Sequence, residues 1–230
     1  SNGDQGRDYL VAFTGIRADD QYGNGGGWSV LVPTNAVFDD WNDGDYRKSV
    51  SFDDTAIFDG VVEPYTNFAP FHSVGINRAH IAKYTRGTGI TNQGNGRLSN
   101  SNYLMMRYAE VLLIAAEAAV EIGDNVSALT YLNRVRARAR NAAGVTNALP
   151  ADFAGTVAVN DVLEERRLEL AFECKRWYDI VRRRLGDDVF SASGFEGAKP
   201  NWNASTDYLL PLPADELARN PNLLPQNPGY

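Results

Sequence analysis

Residues 104–122 constrain this chain more than any other stretch. The segment is almost wholly apolar, and its charges, Arg107, Glu110, Glu117 and Glu121, fall on one narrow stripe at helical spacing. That pattern predicts a helix buried over most of its circumference. A membrane span is excluded, because four charges in so short a segment are too costly in hydrocarbon and Gly123-Asp124 ends the run. After the Gly123-Asp124-Asn125 turn, Ala128, Leu132, Val135 and Ala139 recur at intervals of four, three and four, an inward stripe on a second helix that ends near Gly144. A third helix is expected from an N-cap at Asn160 or Asp161 to about Arg184, with Leu163, Leu170, Cys174, Trp177 and Val181 on its inner face. Glu164 and Glu165 open it and Arg182, Arg183 and Arg184 close it, as the helix dipole favours.

The first two helices form an antiparallel pair with small residues, Ala116 and Ala128, at the close approach. The pair resembles one tetratricopeptide-type unit of roughly 34 residues, and such repeats normally need about three stacked copies. The first helix is apolar on more sides than its partner can cover. Either residues 1–100 pack there, or polypeptide beyond this chain supplies upstream helices. Residues 1–100 hold most of the glycines, with short alternating runs such as Tyr9-Leu10-Val11-Ala12-Phe13, and read as loops with a few strands. Proline in Leu210-Pro211-Leu212-Pro213 and Asn227-Pro228-Gly229-Tyr230 predicts an extended tail over the surface. The expected fold class is mainly α with extensive irregular loops and a few short strands. One domain is expected over 1–230, made of a loop- and strand-rich part (1–100), a helical part (101–185) and the tail (186–230).

A net charge of −7 argues against nucleic acid, which needs a basic footprint. The single cysteine, Cys174, excludes a disulfide framework and any multi-cysteine metal site. His72 and His80 lie outside any zinc or di-iron spacing. The opening Ser1-Asn2-Gly3 has no signal-peptide character and resembles the scar a processing protease leaves, so a trimmed chain is expected.

Glu164, Glu165, Glu169 and Glu173 could supply the paired carboxylates of glycosidic hydrolysis. Arg166, Arg167, Lys175, Arg176 and Asp179 interleave with them at three- and four-residue spacing, so a self-neutralising ion-pair network along the helix is the better reading. Arg134, Arg136, Arg138 and Arg140 form a basic run, but residues two apart point about 200° away from each other round a helix. These four therefore make no single patch and read as a solvated helix end. The acidic loop Asp39, Asp40, Asn42, Asp43, Gly44, Asp45 fails as an EF-hand, since Trp41 and Val50 fall at ligand places, and reads as an Asx-rich turn. The glycine run Gly23-Asn24-Gly25-Gly26-Gly27 matches no phosphate loop. No catalytic residue, cofactor site or metal site is expected.

The remaining signal is aromatic. Tyr22, Trp28, Trp41, Tyr46, Tyr65, Tyr84 and Trp202 lie in or beside loops with Arg17, Asn24 and Asn203 nearby. Flat rings and hydrogen-bonding side chains suit the C–H faces and hydroxyls of sugars, although each ring taken singly is more readily a lid on the core.

Three blocks make the chain similar to a known family. Arg107-Tyr108-Ala109-Glu110-Val111-Leu112-Leu113 with Tyr131-Leu132-Asn133-Arg134-Val135-Arg136-Ala137-Arg138-Ala139 resembles the last helical repeat of SusD/RagB-type proteins. So do Glu165-Arg166-Arg167-Leu168-Glu169-Leu170-Ala171-Phe172-Glu173 with Lys175-Arg176-Trp177-Tyr178-Asp179, and the ending Gln226-Asn227-Pro228-Gly229-Tyr230. The resemblance implies the C-terminal part of a SusD-like helical-repeat fold. It also implies a Bacteroidetes outer-membrane lipoprotein, surface-exposed, that binds nutrient glycans without catalysis or cofactor and delivers them to a SusC-like TonB-dependent transporter. Whole members run to about twice this length, so the N-terminal half, with the lipid anchor, is expected as a further partner. A RagB-type peptide ligand or a purely protein-docking module are the alternatives. Arg107, Glu110, Glu169, Glu173, Arg176 and Asp179 are expected to form an internal ion-pair scaffold, and Cys174 stands where the family commonly has Gly. For ligand binding the candidates are Tyr22 and Trp28, with Arg17 as hydrogen-bond donor.

Overall fold

The structure, a computed structural model, describes residues 10–18, 27–71, 76–85, 90–93, 98–99, 103–141, 144, 147–194 and 196–230. The chain divides into two compact units, Ser1–Glu173 and Cys174–Tyr230.

In the first unit the short helices α1 (Leu10–Thr14), α2 (Asn35–Asp39) and α3 (Tyr46–Ser51) precede the strands β1 (Phe52–Asp53), β2 (Thr55–Phe58), β3 (Val61–Pro64), β4 (His80–Ile81), β5 (Ile90–Gln93) and β6 (Leu98–Ser99). The strands pair only two by two, β1 with β4, β2 with β3 and β5 with β6, all antiparallel. The β2–β3 hairpin turns through Asp59 and Gly60, both at positive φ, as the right-handed strand twist requires of a two-residue loop. The helices α4 (Tyr108–Glu121), α5 (Asn125–Arg140) and α6 (Val159–Glu169) follow. A mainly α fold with short strands and irregular loops is what the sequence predicts.

The α4–α5 hairpin follows from local chemistry. Gly123, at φ 77°, closes α4 in a Schellman motif, its N–H reaching Val120 O while the Asp124 N–H reaches Ala119 O at 2.8 Å. The Asp124 carboxylate then accepts from the Ser127 N–H at 3.0 Å and caps α5. The predicted stripe Ala128, Leu132, Val135 and Ala139 is buried, packing with Leu112, Leu113, Ala116 and Ala119 of α4 and Val162 of α6. Burying a Leu132-sized side chain contributes roughly 2 kcal/mol.

Other expectations need correction. Helix α4 is less enclosed than its apolarity predicts, because Tyr108, Val111 and Ile114 are exposed along one side and no described residue of 1–100 covers them. Only two of the four α5 arginines resemble a solvated helix end. Arg136 donates to Ala151 O and Arg140 to Pro150 O, each at 2.6 Å, with Arg140 also pairing with Asp152 at 2.6 Å, so this i, i+4 pair clamps the loop after α5. The predicted third helix is interrupted. Asp161 acts from inside the first turn, accepting from the Ala158 N–H at 2.8 Å, and α6 stops at Glu169. Phe172 and Cys174 then adopt φ of 67° and 58° before the next helix starts at Arg176. The turn sets the Phe172 ring edge-on to Phe52 at 5.3 Å and lets the Tyr84 hydroxyl donate to Phe172 O at 2.7 Å. Tertiary contacts thus override a helical pattern, and Cys174, expected on an inner face, is exposed in a backbone conformation that favours glycine.

The second unit holds α7 (Arg176–Arg183), α8 (Gly186–Val189) and α9 (Ala214–Arg219). Its core gathers Ile180, Val189 and Tyr208, with Trp202 packed against Phe190 and Tyr208 at 4.8 and 4.9 Å. A Cβ on Gly186 would lie 1.9 Å from the Trp202 ring, so only glycine permits this packing. Residues 210–213 form neither helix nor strand, and the Gln226 side chain holds them by accepting from the Leu212 N–H and donating to Leu212 O. The tail is not extended throughout: Ala214-Asp-Glu-Leu-Ala-Arg219 has helix-forming composition with acids in the first turn, and forms α9 directly after Pro213.

Candidate functional site

Two of the three predicted ligand residues, Arg17 and Trp28, belong to one folded-back segment. Residues 27–31 return along 11–16 through a run of backbone bonds, among them Gly27 N–H to Ile16 O at 2.7 Å, Trp28 N–H to Ala12 O at 2.6 Å and Ser29 N–H to Gly15 O at 3.0 Å. The approach is so close that a Cβ on Gly27 would stand 2.1 Å from the Gly15 carbonyl, which is why glycine is needed at both ends. Trp28 is half-buried, its ring tilted on Phe13 with centroids 5.5 Å apart. Arg17 is exposed, and its backbone N–H donates to Ser29 Oγ at 2.9 Å. Tyr22 lies outside the described residues.

Four other loop aromatics, Trp41, Tyr65, Tyr84 and Trp202, are structural. Trp41 is 3% exposed and edge-on to Phe52. Tyr84 and Trp202 are committed to the contacts above, and Tyr65 packs on Phe38. In the acidic loop, Asp45 caps α3 through the Arg47 N–H and Asp43 pairs with Lys48 at 2.6 Å. His72 lies outside the described residues, His80 is buried, and among the described residues no group of three or more His, Cys, Asp and Glu could hold a metal ion.

Glu165, Glu169 and Glu173 are paired, but with cations far away in the sequence rather than the neighbours their spacing suggests. Glu165 and Glu169, both buried, project from one face of α6. Arg47, from α3, donates to Glu165 at 2.6 Å and Glu169 at 3.2 Å, and chelates Asp45 at 2.7 Å. Arg107 reaches Glu169 at 2.6 Å and Glu173 at 2.8 Å, and bonds Glu169 O. Arg136 pairs with Glu165 at 2.5 Å, Arg138 with Glu169 at 3.4 Å and Lys83 with Glu173 at 2.5 Å. One connected network therefore joins Arg47, Lys83, Arg107, Arg136 and Arg138 to Asp45, Glu165, Glu169 and Glu173, five cations to four carboxylates. Of the predicted scaffold, Arg107, Glu169 and Glu173 belong to it. Glu110 instead approaches Arg166 at 3.9 Å, and in the second unit Arg176 pairs with Glu196 and Asp179 with Arg182. One predicted short-range pair on α6 does form, Arg167 with Glu164 at 2.5 Å.

The electrostatics follow from this geometry. Burial alone would push the Asp45 carboxyl up, but the hydrogen bonds and charge of Arg47 outweigh it and hold the group below its ordinary range. Glu173 behaves alike, burial being outweighed by Arg107 and Lys83. For Lys83, burial and the nearby Arg107 prevail over the Glu173 attraction and its pKa is lowered.

Two cavities flank Arg107 and Arg138. One, of about 210 Å³, is lined by the network itself, including Arg47, Lys83, Glu169 and Glu173. The other, of about 400 Å³, opens between the start of α4 and α5 and is lined by Arg107, Tyr108, Leu112, Arg134, Val135 and Arg138 among others. In it the Arg134 guanidinium lies over the Tyr108 ring, 5.4 Å from the centroid.

Comparison with known proteins gives one consistent result. Residues 77–230 match the family described as the SusD family. A SusD-like protein of Formosa agariphila, P2, is 50% identical over 234 aligned residues, which take in 100% of this chain and 46% of that protein. The fold is similar to that of a SusD homologue from Bacteroides thetaiotaomicron, with a TM-score of 0.70 at 18% identity over 97% of this chain and 48% of that one. It is similar also to surface glycan-binding protein A from the same organism, in complex with laminarihexaose, with a TM-score of 0.64 at 20% identity over 95% and 46%. The chain thus spans about half the length of these relatives.

Proposed function

The chain belongs to the SusD family, and on that premise we propose that it takes part in capturing nutrient glycans at the outer-membrane surface and delivering them, unaltered, to a SusC-like TonB-dependent transporter. The observation that carries the glycan reading is the seating of Trp28. The indole is braced from behind by Phe13, half-open, and tied into the same folded-back segment as the exposed Arg17. A braced ring can stack on the C–H face of a sugar with little loss of side-chain entropy, and a guanidinium beside it supplies donors for hydroxyls. A similarly folded surface glycan-binding protein occurs in complex with laminarihexaose, in keeping with a glycan as the class of ligand. Tyr22 is proposed as a third ligand residue on its place in the sequence alone.

Binding without chemistry agrees with the state of the carboxylates. A glycosidase needs one carboxyl held protonated near neutral pH. Here Glu173 is held ionised by Arg107 and Lys83, and Glu165 and Glu169 are spanned by arginines. In this reading a lipid anchor on polypeptide outside the chain holds the protein at the membrane; among the described residues no helix is long and apolar enough to cross one.

The test is affinity electrophoresis on gels containing laminarin and a panel of other neutral polysaccharides. Trp28→Ala is expected to lose at least tenfold in affinity for whichever glycan retards the parent protein, with an unchanged far-UV spectrum. Full retention by Trp28→Ala would remove the residue from the site. Binding to no polysaccharide, together with capture of the transporter alone, would replace the glycan reading by the docking one.

A further inference from the structure

We propose that the cavity between the start of α4 and α5 binds an anionic group carried on a sugar, a sulfate ester or a uronate carboxylate. This deepens the glycan-binding reading and rests on it. The cavity, about 400 Å³, is of the size that takes a small ligand. Its charged lining is Arg107, Arg134 and Arg138, with no carboxylate among the lining residues.

The charge there is in excess. The neighbouring network already sets five cations against four carboxylates, and Arg134 stands outside it, so the cavity lining and the network behind it together hold more cations than carboxylates. Among the described residues Arg134 makes no ion pair; its recorded contact is the Tyr108 ring. Arg138 is 68% exposed along its side chain and only grazes Glu169 at 3.4 Å. Both arginines therefore keep donors free for a ligand.

The geometry suits an oxyanion on a ring. Arg134 and Arg138 are four apart on α5, so both guanidinia project from one face of the helix. Tyr108, 61% exposed, orders Arg134 by stacking. Two planar forks on one helix face match the paired oxygens of a sulfate or carboxylate better than point charges would. Leu112 and Val135 form an apolar floor against which a sugar C–H face can rest. Arg136 and Arg140, on the other side of the helix, are consumed by the loop carbonyls and by Glu165 and Asp152, and cannot contribute.

The experiment titrates the protein with oligosaccharides of κ-carrageenan (sulfated, no uronate), polygalacturonate (uronate, no sulfate) and agarose (neutral), at low and high salt. One of the two anionic series is expected to bind more tightly than agarose and to weaken as salt rises, and the better series identifies the anion. Arg134→Gln is expected to weaken that series about tenfold or more, the loss of one charge-assisted contact, and Arg134→Glu further, with the melting temperature unchanged. Neither substitution is expected to alter retardation by neutral glycans, which depends on Trp28. If neutral binding persists but neither anionic series is preferred, or both Arg134 variants bind the anionic series as the parent does, this proposal falls and the glycan reading stands. If no saccharide of any kind binds, both fall.

Discussion

Arg47 is the residue whose loss the structure prices most clearly. Its side chain is 5% exposed and holds Asp45, Glu165 and Glu169 at once. In Arg47→Met, Glu165 keeps Arg136 at 2.5 Å and Glu169 keeps Arg107 at 2.6 Å and Arg138 at 3.4 Å. Asp45, whose side chain is 4% exposed, loses its one cation and is left as a buried carboxylate held by a backbone N–H. Breaking a buried pair in this way costs roughly 3–5 kcal/mol, against about 1 kcal/mol or less for an exposed pair. With a urea dependence of about 2–3 kcal/mol per molar, the midpoint should fall by roughly 1–2.5 M. Urea titrations followed by tryptophan fluorescence and far-UV circular dichroism measure this, and the first unit, which holds Arg47, should unfold earlier than the second. Arg47→Met/Asp45→Leu should recover more than half of the loss, because removing both partners leaves no orphaned charge. A midpoint shift of less than about 0.3 M for the single variant, which corresponds to an exposed pair, would refute the buried network.

Further outcomes follow from the same geometry. The Asp45 and Glu173 carboxyls are depressed on folding from ordinary values of 3.8 and 4.5, so their stabilisation is fully present above about pH 4.5 and is lost as pH falls through their lower folded values. Thermal melts between pH 6 and pH 2 should show stability falling below pH 4.5, less steeply in Glu173→Gln; a variant curve parallel to the parent's would count against the Glu173 pairings. Cys174 sits exposed at φ 58°, where a side chain costs roughly 1–2 kcal/mol, and glycine's extra freedom in the unfolded chain offsets about 0.4–1 of that. Cys174→Gly should therefore raise stability by up to about 1.6 kcal/mol, and a lowered melting temperature would mean that the thiol makes a contact the exposure does not reveal.

A division of labour emerges among three sides of α5. Its inner stripe secures the hairpin, one pair of arginines ties down the loop at residues 150–152, and the other pair faces the cavity beside Tyr108. The ion network shares Arg107 and Arg138 with that cavity, and it holds Arg107 firmly through Glu169 and Glu173 while touching Arg138 only at 3.4 Å. Scaffold and proposed recognition surface thus share residues, and the variant that best separates them is Arg134, which stands outside the network.

Much of the helical part was legible in the residues alone. The stripe Ala128, Leu132, Val135 and Ala139 and the stop at Gly123-Asp124 are determined within four residues of each position, so the sequence by itself specifies the hairpin and its inner face. The Asp59-Gly60 hairpin turn was equally available as a local signal, though the sequence reading did not use it. The charge pattern likewise showed that the carboxylates on α6 would be neutralised. Only the tertiary structure decided by what: Glu165 and Glu169 take Arg47 from 118 and 122 residues away and Arg107 from 62, in place of the neighbours three and four positions along. It also broke the predicted third helix at Phe172 and Cys174, drew Arg136 and Arg140 out of solvent, and seated Trp28 on Phe13. Periodicity and caps are short-range and read along the chain, whereas a buried charge chooses its partner from whatever the returning chain brings within reach, and no spacing in the sequence encodes that distance.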